Sequence, residues 1–367
     1  MKGVVLALRI LVAALLVAFL LFAPPYLEQA LGRNFYREWL SGEREEWSGV
    51  LTLWHVVEFK TAQGSVTSYL ESIAAQYERA HPGVYIEVLG LAPEAVEERL
   101  SRGERPHIWS FPAGACGAEQ LAPLGIELPA FRGNLAPLRA EGVSCAAPYL
   151  YSGYFLLGNT VLIQELGLSW PSDTATLSET LQQAMDARST GRYGAVCAPH
   201  IHAARLGLTG EMALDGDFKA GQVPFLIGDA RAFGDLNRKM ATGGFTFDAL
   251  PLGGFTEEVQ YAGVDAEARG GYAEHAAGFL SLLVSEKAQL KTTALGALPA
   301  VQTAEEPQYA DGQLQAFYKA YSAPVCPDPA LWRDARAALA QEALSALGGG
   351  EEARRTFEEH LKAVTPD

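Results

Sequence analysis

The stretch Val50-Leu51-Thr52-Leu53-Trp54 opens the pattern that decides the fold class of this chain. It is apolar and partly β-branched, as in a buried strand. After a polar loop, residues 69–77 carry apolar side chains at helical spacing until the helix-breaking sequence at 81–83. Further apolar runs at 84–89 and 108–111 predict a second and a third strand. The segment therefore predicts a strand–helix–strand unit.

This alternation continues along the chain and predicts a parallel sheet covered by helices on both faces. Ligands of such sheets bind at loops beyond the carboxyl ends of the strands, here 55–65 and 110–117. Further strands are predicted at 149–157, 193–197, 223–228, 247–252 and 259–264. Further helices are predicted at 94–100, 172–185, 233–240 and 273–285 and through most of 307–367, where Leu331, Ala335, Leu339, Ala343 and Ala346 form an apolar stripe.

Length and composition limit the classes of protein that remain. The 367 residues exceed one typical core and fit two lobes, and 49% hydrophobic with 19% charged residues excludes disorder by composition. The formal net charge of −15, without a basic stripe, argues against a nucleic-acid partner.

The N-terminus predicts export. Gly3 to Ala23 is apolar except for Arg9, and at about 1.5 Å per residue it spans roughly one bilayer core. Lys2 and Arg9 place the start in the cytoplasm and the remainder outside. We favour a retained single-pass anchor at 1–25 with a juxtamembrane spacer at 26–47. A cleaved signal peptide is the alternative, and both readings place the folded domain outside the cytoplasm.

No motif for chemistry stands out. GxSxG, HExxH and Walker sequences are absent, so we expect no enzyme activity and no cofactor. His200-Ile201-His202, read as an extended loop, lacks a third ligand, so we expect no metal site. Cys116 and Cys145 flank one segment and are candidates for a disulfide, although free cysteines are the safer assumption.

A series of short motifs, in order, resembles the extracellular solute-binding proteins of ABC transporters, family 1, the group that contains maltose-binding protein. The resemblance covers about residues 48–305, and His107 departs from it where relatives carry an acid. The motifs lie at 51–55, 73–84, 106–109, 147–159, 249–252, 276–280 and 295–300.

The resemblance implies an α/β fold of the periplasmic-binding-protein-like type II, with two α/β lobes joined by hinge strands, here behind an N-terminal transmembrane helix. Lobe one would comprise 48–148 and 262–302, and lobe two 149–261 and 303–367. The implied function is capture of a small polar ligand, carbohydrate-like or an acidic sugar, for the permease subunits of an ABC importer. A membrane-anchored ligand sensor without a transport role is the alternative.

Candidate ligand-binding residues follow from position relative to the expected cleft. Aromatic rings pack on sugar faces, and carboxylate, hydroxyl and guanidinium groups orient hydroxyls. Because successive residues of a strand face opposite sides, the sequence leaves open which tyrosines face the core. Trp109 lies inside the third predicted strand and is expected in the core. Arg231 suits an acidic ligand, with an ion pair to Asp229 or Asp235 as the alternative. The candidates are His55, Glu58, Ser65, Ser110, Phe111, Tyr149, Tyr151, Ser152, Tyr154, Asp229, Arg231 and Tyr261.

Overall fold

A computed structural model describes residues 47–172, 174–188, 196–241 and 246–366. The predicted anchor at 1–25, and the predicted spacer except for Trp47, lie outside these ranges. Within them, no helix is both long and apolar enough to cross a bilayer.

The strands form two sheets. Their bounds are β1 (Gly49–Val56), β2 (Val84–Leu91), β3 (Ile108–Pro112), β4 (Leu138–Ala140), β5 (Val143–Tyr151), β6 (Tyr154–Asn159), β7 (Val196–Cys197), β8 (Phe225–Asp229), β9 (Phe247–Pro251), β10 (Val259–Val264) and β11 (Leu298–Pro299).

Helices separate most of these strands and fill the C-terminal region. Their bounds are α1 (Val66–Ala80), α2 (Pro93–Ser101), α3 (Thr160–Glu165), α4 (Thr174–Arg188), α5 (His200–Arg205), α6 (Asp215–Lys219), α7 (Ala230–Ala241), α8 (Gly271–Leu283), α9 (Glu286–Leu290), α10 (Gly312–Ala320), α11 (Pro329–Leu347) and α12 (Glu351–Val364).

The first sheet has the order β11-β5-β10-β3-β1-β2, with β4 paired to β5. Strands β1, β2 and β3 run parallel, as the strand–helix–strand pattern predicts. Strands β5 and β10 run antiparallel to their neighbours, so the predicted parallel arrangement holds for the first three strands but not for the whole sheet. The physical reason is connectivity: β10 follows a strand of the other sheet and β5 leads into one, so neither belongs to the helix-connected series.

The second sheet has the order β7-β8-β6-β9, and α7 and α10 pack on it. At its centre the ring of Phe155 lies between those of Phe233 and Phe317, with ring centroids 4.5 and 4.4 Å away. Burying such aromatic rings stabilises this lobe.

The chain crosses between the sheets at Ser152-Gly153 and again between β9 and β10. The predicted single extended run at 149–157 is therefore two strands in different sheets. Residues 149–151 and 259–261, which the sequence assigned to lobe two, pair within the first sheet. A side chain at Gly153 would clash, because its Cβ would lie 2.3 Å from the ring of Tyr321. The division of the remaining chain into lobes stays a prediction.

The buried face of helix α11 differs in part from the apolar stripe predicted for it. Leu339, Ala343 and Ala346 are buried, but Leu331 is 51% exposed and Trp332 takes its place at 5%. The helix packs against α5 and α12, so the buried face is set by two neighbouring helices rather than by one sheet.

Candidate functional site

A cavity of about 720 Å³ lies where the loop after β1, the carboxyl ends of β7 and β8, and the connection into β10 meet. Two-sheet α/β proteins bind ligands at such strand ends. The volume is in the range of small-molecule sites. The polar side chains in its wall are Lys60, Tyr154, Lys219, Asp229, Arg231, Asp235 and Glu258.

Lys60 and Asp229 connect the two lobes across this cavity. Lys60 Nζ lies 3.2 Å from Asp229 Oδ2. Burial by itself would lower the pKa of Lys60, but the charge and hydrogen bond of Asp229 more than offset this, and the pKa is raised. Asp229 is held in place because its Oδ1 accepts the backbone N–H of Ala232 at 2.8 Å, in the first turn of α7.

Two adjacent carboxylates meet one hydroxyl at the second crossover. Tyr154 Oη lies 2.9 Å from Glu257 Oε1 and 3.3 Å from Glu258 Oε1. A single O–H donates to one of them at a time. Glu257 also lies 3.0 Å from His202 Nε2, whereas Glu258 lines the cavity. The arrangement leaves Glu258 as the carboxyl group that lines the cavity and can hydrogen-bond a ligand.

The two carboxyl groups differ in acidity. Burial, followed by the charges of Glu257 and Asp229, raises the pKa of Glu258 to about 8. Burial also opposes ionisation of Glu257, but the charge and hydrogen bond of His202 outweigh it and lower the pKa of Glu257. At pH 7, Glu257 is therefore ionised and Glu258 is mostly protonated.

Arg231 lies exposed in the cavity wall. The predicted alternative was an ion pair between Arg231 and a nearby acid. Among the described residues, the two candidate acids pair with other side chains. Asp229 pairs with Lys60, and Asp235 pairs with Arg238. The guanidinium of Arg231 is thus positioned to meet an anionic or hydroxyl-rich ligand.

Three predicted residues form a buried network in the first sheet rather than part of the cavity wall. Ser110 Oγ lies 3.0 Å from His55 Nδ1 and 2.7 Å from Tyr149 Oη, and Gln260 Nε2 donates to it at 3.1 Å. All four side chains are at most 2% exposed. Burial lowers the pKa of His55 to about 4, so its imidazole is neutral.

Four other candidate residues are also buried: Phe111, Tyr151, Ser152 and Tyr261. Trp109 is buried as well, which confirms the prediction that it lies in the core. Phe111 and Tyr261 stack with ring centroids 6.0 Å apart, and the Tyr151 hydroxyl donates to the backbone carbonyl of Tyr321. Ser152 is fully buried at the first crossover. None of these four lines the cavity.

Glu58 and Ser65 lie exposed on the loop after β1 and do not line the cavity. Ser65 instead begins α1, because its Oγ accepts the N–H of Ser68 at 3.1 Å. The structure thus brings Tyr154, Asp229 and Arg231 together at the cavity and leaves the other predicted residues outside it.

Sequence reasoning missed Lys60 and Glu258. Lys60 lies in the predicted loop 55–65 after the first strand, and Glu258 directly precedes the strand predicted at 259–264, so position relative to strand ends was an available signal. It also missed the contact between α11 and the loop after β3. Arg333 Nη1 lies 2.6 Å from Glu119 Oε1, and the Cβ of a residue at Gly117 would meet Arg333.

The geometry of the described residues bears on two minor predictions. His200 and His202 begin helix α5 instead of lying in an extended segment, so they point in different directions; His202 turns inward to Glu257. No cluster of three or more metal-binding side chains occurs in the described residues. Cys116 and Cys145 are buried and free, so the candidate disulfide between them is absent.

Comparison with known proteins identifies the fold. No family model and no curated protein matches the sequence. Among solved structures, the cyclic α-maltosyl-1,6-maltose binding protein from Arthrobacter globiformis has a TM-score of 0.64 at 16% identity, over 87% of this chain and 99% of that one. The Thermus thermophilus maltotriose binding protein has 0.56 at 14%, over 86% and 98%. The GacH receptor of Streptomyces glaucescens has 0.58 at 17%, over 87% and 99%. At such identities the likeness establishes the fold: this chain has the two-lobed α/β fold of maltose-binding-protein-like ABC substrate-binding proteins.

Proposed function

We propose that this protein is an extracytoplasmic solute-binding protein that captures a small polar ligand between its two lobes for an ABC importer. The observation that carries the proposal is the cavity of about 720 Å³, whose wall combines Lys60 of the first lobe, Asp229 and Arg231 of the second, and Glu258 of the crossover. Groups contributed from both sides of a hinge bind a ligand together only when the lobes approach.

The chemistry of the wall favours a carbohydrate or a sugar derivative. The wall contains carboxyl groups, a hydroxyl and cationic groups, so hydroxyls of a ligand find both donors and acceptors. The solved structures with the same fold are named as binding proteins for maltotriose and other sugars. Arg231 and Lys219 favour a sugar that carries a carboxylate or phosphate over a neutral one.

The ligand class is tested by a thermal-shift screen of the full chain against neutral sugars, sugar acids and phosphorylated sugars. A ligand at about 100 times its dissociation constant stabilises the protein by roughly 2.7 kcal/mol. We expect sugar acids or sugar phosphates to raise the melting temperature most, and Arg231→Ala to weaken their binding about tenfold or more.

Arg355→Ala on the exposed face of α12 is the matched control and should bind as the wild type does. A screen in which no sugar of any class raises the melting temperature would contradict the proposed function. Equal affinity of the Arg231→Ala and Arg355→Ala variants for an acidic ligand would contradict the role of Arg231.

We further propose that residues 1–25 keep the protein on the membrane with the binding domain outside the cell. The apolar run at 3–23 supports this. Intact mass of the mature chain and extraction of membranes at alkaline pH test it: a chain that lacks these residues and is recovered in the soluble fraction would contradict anchoring.

A further inference from the structure

One short segment of the first lobe makes three separate contacts with one helix of the second lobe and with Asp229, the residue that caps this helix. The segment is 60–62, in the loop after β1, and the helix is α7, which follows β8. We propose that this pair, which we name the closure latch, holds the two lobes together in the arrangement described, and that Gly234 controls whether it can form. This inference rests on the proposed function, because it concerns how the binding cavity is kept shut.

The first contact is steric. A Cβ atom on Gly234 would lie 2.1 Å from the carbonyl oxygen of Ala62 and 2.9 Å from its carbonyl carbon. Both atoms belong to the main chain, so no rotation of a side chain relieves the overlap. Replacing Ala62 with glycine would not relieve the overlap either, because the main-chain atoms would remain. The lobes can therefore approach to this distance only with glycine at position 234.

The second contact uses the same carbonyl. Arg238 Nη1 donates to the oxygen of Ala62 over 3.2 Å. Residues four apart on a helix share a face, so Gly234 makes the space and Arg238 fills it with a donor. Asp235 pairs with Arg238 and orients the guanidinium.

The third contact is the ion pair of Lys60 with Asp229, at 3.2 Å. Asp229 also caps the first turn of α7, so it fixes the helix and the interlobe contact at the same time. All three contacts therefore depend on one rigid element, and a change at Gly234 that pushes α7 away separates the other two.

Glycine in the interior of a helix is otherwise less favourable than alanine, because it loses more backbone entropy. In the second lobe alone, Gly234→Ala should therefore strengthen α7. The same substitution should prevent the lobes from meeting. Gly234→Ala should therefore unfold at least as late as the wild type while its lobes stay apart. If the glycine served only to stabilise the fold, its replacement would not give these two results together.

The experiment compares Gly234→Ala with Gly312→Ala in the full chain. Gly312 is also helical, and nothing lies within 4 Å of a Cβ placed there, so it is the matched control. We expect small-angle scattering to give a larger radius of gyration for Gly234→Ala than for the wild type or Gly312→Ala. We also expect affinity for any ligand found in the sugar screen to fall about tenfold or more, since affinity scales with the closed population.

Arg238→Met provides a second variant without steric overlap and should weaken the ligand a few-fold, in the same direction. Equal radii and equal affinities for Gly234→Ala and the wild type would overturn the latch. If no sugar binds any variant but Gly234→Ala still expands, the latch stands and the proposed function fails. If Gly234→Ala does not fold, Arg238→Met decides: unchanged radius and unchanged affinity overturn the proposal.

Discussion

The buried network of the first sheet and the cavity wall contain similar residue types but have opposite surroundings. In the network, Ser110 bonds His55 and Tyr149, and every side chain is almost inaccessible. In the wall, Glu258 and Arg231 face the cavity and keep hydrogen-bonding capacity. Closeness to the end of a strand therefore makes a polar residue a site candidate, but the direction of its side chain decides whether it supports the fold or can bind a ligand.

The largest expected effect is on the network. Tyr149 is fully buried, so Tyr149→Ala should lower the free energy of unfolding by about 3–5 kcal/mol. Tyr149→Phe, which removes only the hydroxyl, should cost about 1 kcal/mol. Urea unfolding measures both. If Tyr149→Phe changed ligand affinity more than stability, the network would belong to the binding site and the comparison would fail.

The next largest effect is on the pH dependence of folding stability, which has opposite signs for His55 of the network and Glu258 of the cavity wall. Burial lowers the pKa of His55 from 6.5 to about 4, so the unfolded chain binds more protons in that interval and His55 makes the protein lose stability as pH falls through it. Burial and two neighbouring carboxylates raise the pKa of Glu258 from 4.5 to about 8, so the folded chain binds more protons and stability falls as pH rises through that window.

His55→Gln should therefore flatten the loss of stability on the acid side, and Glu258→Gln should flatten the loss on the alkaline side. Each change should be on the order of 1–2 kcal/mol, since Glu258 is partly exposed. Unfolding free energies measured across pH 4–8.5 test this. If both variants changed the slope of unfolding free energy against pH in the same direction, the two regions would not differ as proposed.

The smallest effect concerns the loop residues that neither region uses. Ser65→Ala removes the cap of α1 and should cost about 0.5–1 kcal/mol of stability without changing ligand affinity. Glu58→Ala, at an exposed position, should change stability by less than about 0.5 kcal/mol. A marked loss of ligand affinity in either variant would return this loop to the binding site.

The strand–helix–strand unit was predictable because the apolar periodicities of β1, α1 and β3 arise from the chain itself. The three cavity residues Tyr154, Asp229 and Arg231 were also among the candidates, because Asp229 and Arg231 follow a predicted strand and Tyr154 lies in the extended run predicted at 149–157. The network residues were assigned to the cleft for the same reason, since period two tells which residues share a face but not which face meets the cleft. Lys60 was passed over because several polar residues share its position in the loop after the first strand, and only the contact with Asp229 distinguishes it from them.

The sequence by itself determined the alternation of strands and helices, the acidic composition and the apolar N-terminal run, because these depend on neighbours in the chain. Only the tertiary structure decided that β5 and β10 run antiparallel, that Glu258 shares one hydroxyl with Glu257, and that Gly234 lies against Ala62. These depend on which distant segments meet, and residues 172 positions apart carry no local pattern that records their contact.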